Sequence, residues 1–222
     1  MEKNRKMGFV LPIYKDLYLL DAIPNIRKLY PEAQLIIVAD DDKTMFASRQ
    51  LGVFTPFHAK RIGFGKSLCE GVCLAWFTFK CDVVVMADLD HPFEAVKDFL
   101  SKIDEGYDVV VGKEKGVWKK SRIWANDLVQ KYILNDVTHP TCGFQAWQGS
   151  LLEKIPWQNV KSKWDMIHPE LLFWAKTEGA RITECEFEEV QKPRIYVFRR
   201  YISWAISFAR LFRLKYIWRR KK

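Results

Sequence analysis

The sequence predicts an α/β domain built on a mainly parallel, Rossmann-like sheet flanked by helices, with a basic amphipathic helical extension at the C-terminus. Three observations predict it. Short apolar, β-branched runs of strand length alternate with segments of helical periodicity through the first two-thirds of the chain. Successive runs end in acidic residues, as strands do when their carboxyl ends line a ligand crevice. The chain has 222 residues, 49% of them apolar, which suffices for one substantial core and is too apolar for disorder.

Residues 7–13 read as a first strand ending around Pro12 and Tyr14, and 16–29 as a helix with Asp16 as its N-cap. Residues 35–39 read as a second buried strand leading into Asp40, Asp41 and Asp42, with a short strand near Val53 and Phe54. Gly63 and Gly65 stand just ahead of a helical stretch over 66–79. Residues 83–87 (Val-Val-Val-Met-Ala) form a strand apolar on both faces, and Pro92 falls near the start of a helix running to about Glu105. A strand at 109–112 and a helix at 119–134 follow. Beyond Asn135 the alternation breaks into strands at 143–148 and 181–186 around a helix at 168–178. With no internal repeat or linker, 1–190 reads as one domain and 191–222 as an extension.

The net charge of +9 at pH 7 favours polyanionic partners: nucleic acid, an anionic membrane or phosphorylated small molecules. Much of that charge lies in 192–222. The five cysteines, at 69, 73, 81, 142 and 185, lack paired zinc-ligand spacing and read as buried thiols of a reducing, cytosolic compartment. No signal peptide and no bilayer-spanning apolar run is expected.

Three clusters end successive strands: Pro12 with Tyr14 and Asp16, Asp40 with Asp41, and Asp88 with Asp90. In a parallel sheet these ends share one edge, so acids distant in sequence converge. Asp88 and Asp90, one residue apart, can both reach one hard cation, Mg²⁺ or Mn²⁺, shared with a substrate pyrophosphate. A solvated Asp-rich turn is the alternative. Gly63 and Gly65 before a helix suit either a plain turn or close approach to a phosphate, with Lys60, Arg61 and Lys66 beside them.

The ordered set of residues 12–16 (Pro-Ile-Tyr-Lys-Asp), 36–41 (Ile-Ile-Val-Ala-Asp-Asp), 63–66 (Gly-Phe-Gly-Lys), 87–94 (Ala-Asp-Leu-Asp-His-Pro-Phe-Glu) and 140–144 (Pro-Thr-Cys-Gly-Phe) resembles inverting family-2 glycosyltransferases of the GT-A fold. Within them the set is most similar to the dolichyl- and polyprenyl-phosphate sugar synthases, over roughly residues 7–190. The resemblance implies hexose transfer from a nucleotide-diphosphate sugar, of the GDP-mannose or UDP-glucose type, to a lipid phosphate. It places Pro12, Tyr14, Asp16 and Asp40 at the nucleoside pocket, Gly63 and Gly65 in the loop beside the nucleotide, Gly143 in the Pro-Thr-x-Gly-Phe element, and Asp88 and Asp90 at metal positions; Asp41 and Lys66 are further substrate-binding candidates next to them. The sequence departs from the family at Met86, where the first metal-motif Asp usually stands. It departs again at Gln145, often Arg, and at Glu114, which stands in for a basic residue between Lys113 and Lys115.

A phosphate acceptor is already anionic and needs positioning more than a strong base. Candidates to hold it are Lys113, Lys119, Lys120, Arg122, Lys192 and Arg194, each also readable as a solvated surface charge. A hydroxyl acceptor needs a carboxylate base, for which Asp165 and Glu170 are candidates and His168 a competitor. Over 199–212 a narrow polar face (Arg199, Ser203, Ser207, Arg210) interrupts an apolar surface, and a tail rich in Arg and Lys follows. That pattern suits an interfacial anchor on an anionic membrane, at the cytosolic face, or a helix packed on the domain; a nucleic-acid partner is not expected. Two rivals remain: a nucleotidyltransferase, disfavoured because 12–16 lacks a glycine-rich loop, and a membrane-docking homologue with impaired turnover.

Overall fold

The computed structural model describes residues 5–16, 18–56, 58, 60–116, 120–188 and 198–219, with the side chains of 120–122, 198–203 and 219 left aside. Six strands form one sheet: β1 (Met7–Ile13), β2 (Gln34–Ala39), β3 (Val83–Met86), β4 (Val109–Lys115), β5 (Gln145–Gln148) and β6 (Ile182–Glu188). Their order is β2-β1-β3-β5-β4-β6. Only β5 runs against its neighbours; β1 is parallel to β2 and β3, and β4 to β6. The mainly parallel sheet expected from the sequence is therefore observed. Its central strands are buried throughout, from Phe9, Val10 and Leu11 to Val83, Val84 and Val85, as a sheet covered on both faces requires.

The helices follow the expected alternation with physical corrections. α1 (Leu19–Leu29) starts three residues later than read from the sequence. Asp16 does not cap it: its Oδ1 accepts the Tyr18 N–H at 2.9 Å in a turn ahead of the helix. α2 (Asp42–Gln50) was not anticipated. It buries only Thr44, Ala47 and Ser48, so no apolar stripe announces it. Its signal was Asp41, whose carboxylate caps Thr44 N–H at 3.0 Å. The strand expected near Val53 and Phe54 reduces to a single parallel bridge between Ile36 and Phe54.

α3 (Phe64–Cys73) passes into a π-helical turn at Leu74–Thr78, and α4 (Val96–Asp104) follows a 3₁₀ turn at Phe93–Ala95. α5 (Lys120–Val129) likewise runs into a π turn at Gln130–Leu134. A short α6 (Gly149–Leu152) and the 3₁₀ turns Trp157–Asn159 and Trp164–Met166 lead to α7 (Ile167–Thr177). The chain closes with α8 (Phe198–Arg219), whose Leu211 is buried in the main core.

All five cysteines are free thiols. Burial pushes Cys69 up to about 12 and Cys73 and Cys81 to about 11, so they stay protonated packing residues at neutral pH.

α3 crosses the sheet at Gly71, where an added Cβ would stand 2.4 Å from Val10 Cγ1 and 3.1 Å from Val38 Cγ2. Both neighbours are fully buried strand residues that cannot retreat. Gly71→Ala is therefore expected to destabilise the fold by about 1–3 kcal/mol through overpacking, read as a lower urea midpoint at unchanged slope.

Candidate active site

Because β5 is antiparallel and pairs Gln145 with Met86, the chain just before β5 returns to the edge where β3 ends. Gly143 therefore lies beside Asp88: a Cβ on Gly143 would stand 3.8 Å from Asp88 Oδ2 and 3.2 Å from His168 Nε2. Past β3 the chain turns sharply, closed by the His91 N–H donating to Asp88 O at 3.2 Å. Leu89 is buried beneath the turn, while Asp88 and Asp90 stay partly exposed.

Asp88, Asp90 and His91 each bring one possible ligand atom within 4.8 Å of the others, a donor set that fits a divalent cation. The two carboxylates are its natural ligands. His91 Nδ1 already accepts the Asp88 N–H at 2.8 Å, so a neutral ring carries its proton on Nε2. The ring lies flat on Phe144 at 4.7 Å and edge-on to Phe187 at 5.9 Å, which fixes the turn to the core. Met86 is fully buried within β3 and takes no part in this corner.

The second strand end supplies the opposite wall. Asp40 Oδ1 accepts Ile62 N–H at 3.1 Å and Oδ2 accepts Gly63 N–H at 2.8 Å. Gly63 has φ 87°, a left-handed conformation that glycine adopts without strain. Arg61, 3.9 Å from Asp40 through Nε, lays its guanidinium 3.8 Å over the Tyr14 ring, so the first two strand ends are joined by a cation–π contact. Tyr14 is half exposed and Asp16 exposed at the mouth of β1, whereas Pro12 is paired with Val38 inside the sheet. Asp41 serves the scaffold instead. It accepts from Thr44 N–H, the Thr44 hydroxyl at 2.7 Å and Lys15 N–H at 2.6 Å. Lys66 is exposed on the first turn of α3.

Residues 161–166 close over this region. A Cβ on Gly65 would stand 2.7 Å from Ser162 O, so the loop lies directly on the α3 backbone. The Phe64 ring meets His168 at 5.9 Å. A continuous path thus runs from Asp40 through Gly63 and Phe64 to His168, Gly143 and Asp88. The three sequence-distant clusters share one rim.

One candidate role is corrected. Glu170 cannot act as a base: its carboxylate is fully buried and accepts from Lys161 N–H at 3.0 Å, Ser162 N–H at 2.6 Å and Arg210 Nη1 at 2.7 Å. Asp165 is partly exposed in the 3₁₀ turn Trp164–Met166. Lys113 is engaged by Glu186 at 3.1 Å across the β4–β6 pair. Gln145, where the resemblance anticipated Arg, is buried, donating to Cys142 O at 2.7 Å and accepting from Trp147 Nε1 at 2.8 Å. Lys119, Lys192 and Arg194 lie outside the described residues, as do the side chains of Lys120 and Arg122. Sequence reasoning missed Arg61 as the clasp between Tyr14 and Asp40, and Arg210 as the partner of Glu170. No local spacing signals either contact.

Neither a family model nor a curated protein matches the chain. Among solved structures the fold is that of GT-A glycosyltransferases. The chain is similar to glucosyl-3-phosphoglycerate synthase from Mycobacterium tuberculosis in complex with Mn²⁺, UDP-glucose and phosphoglyceric acid, with TM-score 0.72 and 17% identity over 94% of this chain and 80% of that one. The UDP complex of that enzyme gives 0.71 and 18% over 94% and 80%, and a further structure of it gives 0.69 and 19% over 92% and 81%. At this identity the likeness establishes the fold.

Asp40→Ala would strand the Ile62 and Gly63 N–H groups. We expect a loss of about 1–3 kcal/mol, seen as a lower Tm in thermal melts, with Asp40→Asn milder. Asp41 adds a pH dependence. Burial raises its pKa, but the Thr44 and Lys15 hydrogen bonds outweigh that and hold it below the ordinary carboxylate value. Its stabilisation is therefore complete above that ordinary value and is lost as pH falls through the lowered one. Asp41→Asn is expected to flatten the acid limb of Tm against pH, leaving the neutral region little changed.

Proposed function

We propose that the chain transfers a hexose, with inversion, from a nucleotide-diphosphate sugar to a phosphate-bearing acceptor. The carrying observation is the acidic corner, Asp88 and Asp90 at the end of β3, sharing a rim with Asp40 and Gly63 at the end of β2. Asp88 and Asp90 would hold Mg²⁺ or Mn²⁺, which supplies Lewis-acid neutralisation of a leaving diphosphate. The fold's neighbours bound to Mn²⁺ and UDP-glucose support this reading. Tyr14, stacked under Arg61, offers a flat surface for a nucleobase, and Gly63 allows close backbone approach by the nucleotide.

For the acceptor we favour a lipid phosphate, such as polyprenyl or dolichyl phosphate, presented at the cytosolic face of an anionic membrane. Support comes from the sequence resemblance and from the apolar outward face of α8. An anionic phosphate attacks the anomeric carbon without a base once held in line. The second reading is a soluble phosphorylated compound that attacks through a hydroxyl. The neighbour complexes with phosphoglyceric acid and glycerol 3-phosphate favour it. It requires a base, and Asp165 is our candidate for that role.

Asp88→Ala and Asp90→Ala are each expected to weaken Mn²⁺-dependent binding of UDP or GDP by at least ~10-fold in calorimetry, with little change in Tm because both side chains are partly exposed. Wild-type protein that binds neither nucleotide with Mn²⁺ would remove the glycosyltransferase reading. Turnover of a short-chain prenyl phosphate against 3-phosphoglycerate discriminates the acceptors. Loss of activity in Asp165→Asn only with the latter would assign the base.

A further inference from the structure

The sequence gives α8 a narrow polar face and an apolar remainder, and the structure shows which of them meets the domain. Ser207 is buried, Leu211 sits in the core, and Arg210 reaches the fully buried Glu170. The apolar side chains of Ile206, Phe212, Tyr216 and Ile217 are exposed instead, Ile206 by 66%. Neighbouring elements extend this surface. Trp124, 59% exposed, meets Trp204 at 5.6 Å, and Tyr132 meets Phe212 at 6.1 Å.

We propose that α8 is a coupling helix: its outward face seats on an anionic bilayer surface while Arg210 on its inward face orders the loop over the acidic corner. The inference deepens the lipid-acceptor reading and rests on it for its biological use.

Charge selects the occupant. Residues 190–222 hold eleven Lys and Arg and no Asp or Glu, whereas residues 1–189 hold 25 basic and 27 acidic residues. The whole excess of positive charge therefore belongs to the segment that carries the apolar face. A second copy would bring the same cations against their like, which opposes self-association, and an anionic lipid surface complements them. Arg213 stands exposed among the apolar residues, and Lys215 follows it. No helix among the described residues is long and apolar enough to cross a membrane, so α8 lies on the surface.

The inward side connects to the site. The Arg210 guanidinium forks, Nη1 donating to Glu170 Oε1 at 2.7 Å and Nη2 to Asn159 O at 2.5 Å. Glu170 in turn accepts the N–H groups of Lys161 and Ser162. Residues 159–162 are thus gripped from both sides and pressed on Gly65, and the chain then runs through Asp165 to His168 at the rim. The apolar surface is whole only while α8 is docked beside α5, because Trp124 and Tyr132 belong to α5 and its π turn. A bilayer therefore prefers the docked state and stabilises the loop with it. Arg210 is a positioning residue that touches no substrate.

The test uses the full chain with phosphatidylcholine vesicles, with and without phosphatidylglycerol. Sedimentation is expected to show binding only to the anionic vesicles, falling by roughly tenfold or more in Ile206→Asp/Ile217→Asp, whose two sites are exposed and whose Tm should hold. Hydrogen exchange at the Lys161 and Ser162 amides should slow on vesicles in the wild type and not in that double variant. Arg210→Ala should still sediment yet exchange those amides faster, with no slowing on vesicles. Arg210→Lys, which keeps the charge and loses the fork, should recover part of the protection. Equal binding to neutral and anionic vesicles, a concentration-dependent dimer abolished by the double variant, or unchanged loop exchange in Arg210→Ala would each overturn the proposal. Neither readout needs a nucleotide, so bilayer seating without sugar transfer would refute the glycosyltransferase reading alone.

Discussion

The reversal of β5 is the constraint on which the site depends. A strand inserted antiparallel between β3 and β4 begins where β3 stops, and the Met86–Gln145 register fixes where. That returns Gly143 to the acidic turn, where even a Cβ would sit tightly against His168 and in contact with Asp88. In an all-parallel sheet this chain segment would start at the opposite edge, and the acidic corner would lack its far wall.

Above that corner, buried charge organises the loop. Glu170 is sealed from water, and an isolated carboxylate there would be costly. Two backbone N–H groups and a guanidinium supply what water would have given. The same contacts pull residues 159–162 onto α3 and α8 onto the domain, so one anion sets the relation of three elements. A hydrophobic residue at 170 could fill the volume but could not hold those amides in place.

Much of the fold was legible in the sequence, because β-branched runs and helical periodicity report burial directly. Strands at 7–13, 35–39 and 83–87, and the helices read at 16–29 and 66–79, needed no tertiary information. α2 was missed because its buried residues, Thr44, Ala47 and Ser48, are small or polar and write no apolar stripe. The acidic corner was visible, since its residues are adjacent in sequence. Glu170 was misread because a carboxylate near a helix start looks the same whether it faces solvent or a buried amide pair. The orientation of α8 is not legible in the sequence for a related reason. A helical wheel gives the faces but not which one meets the domain, and here Glu170 drew the polar stripe inward.

His91 joins the acidic turn to the hydrophobic interior. Its ring lies flat on Phe144, a buried core residue that also packs against Phe99 and Phe187, while its Nδ1 holds the backbone of Asp88. Interior and acidic corner are therefore not separate modules along an evolutionary path. A lineage that drifts at position 144 or 187 moves the acidic turn with it, so divergence in the hydrophobic interior and divergence in the geometry of that turn would be inherited together.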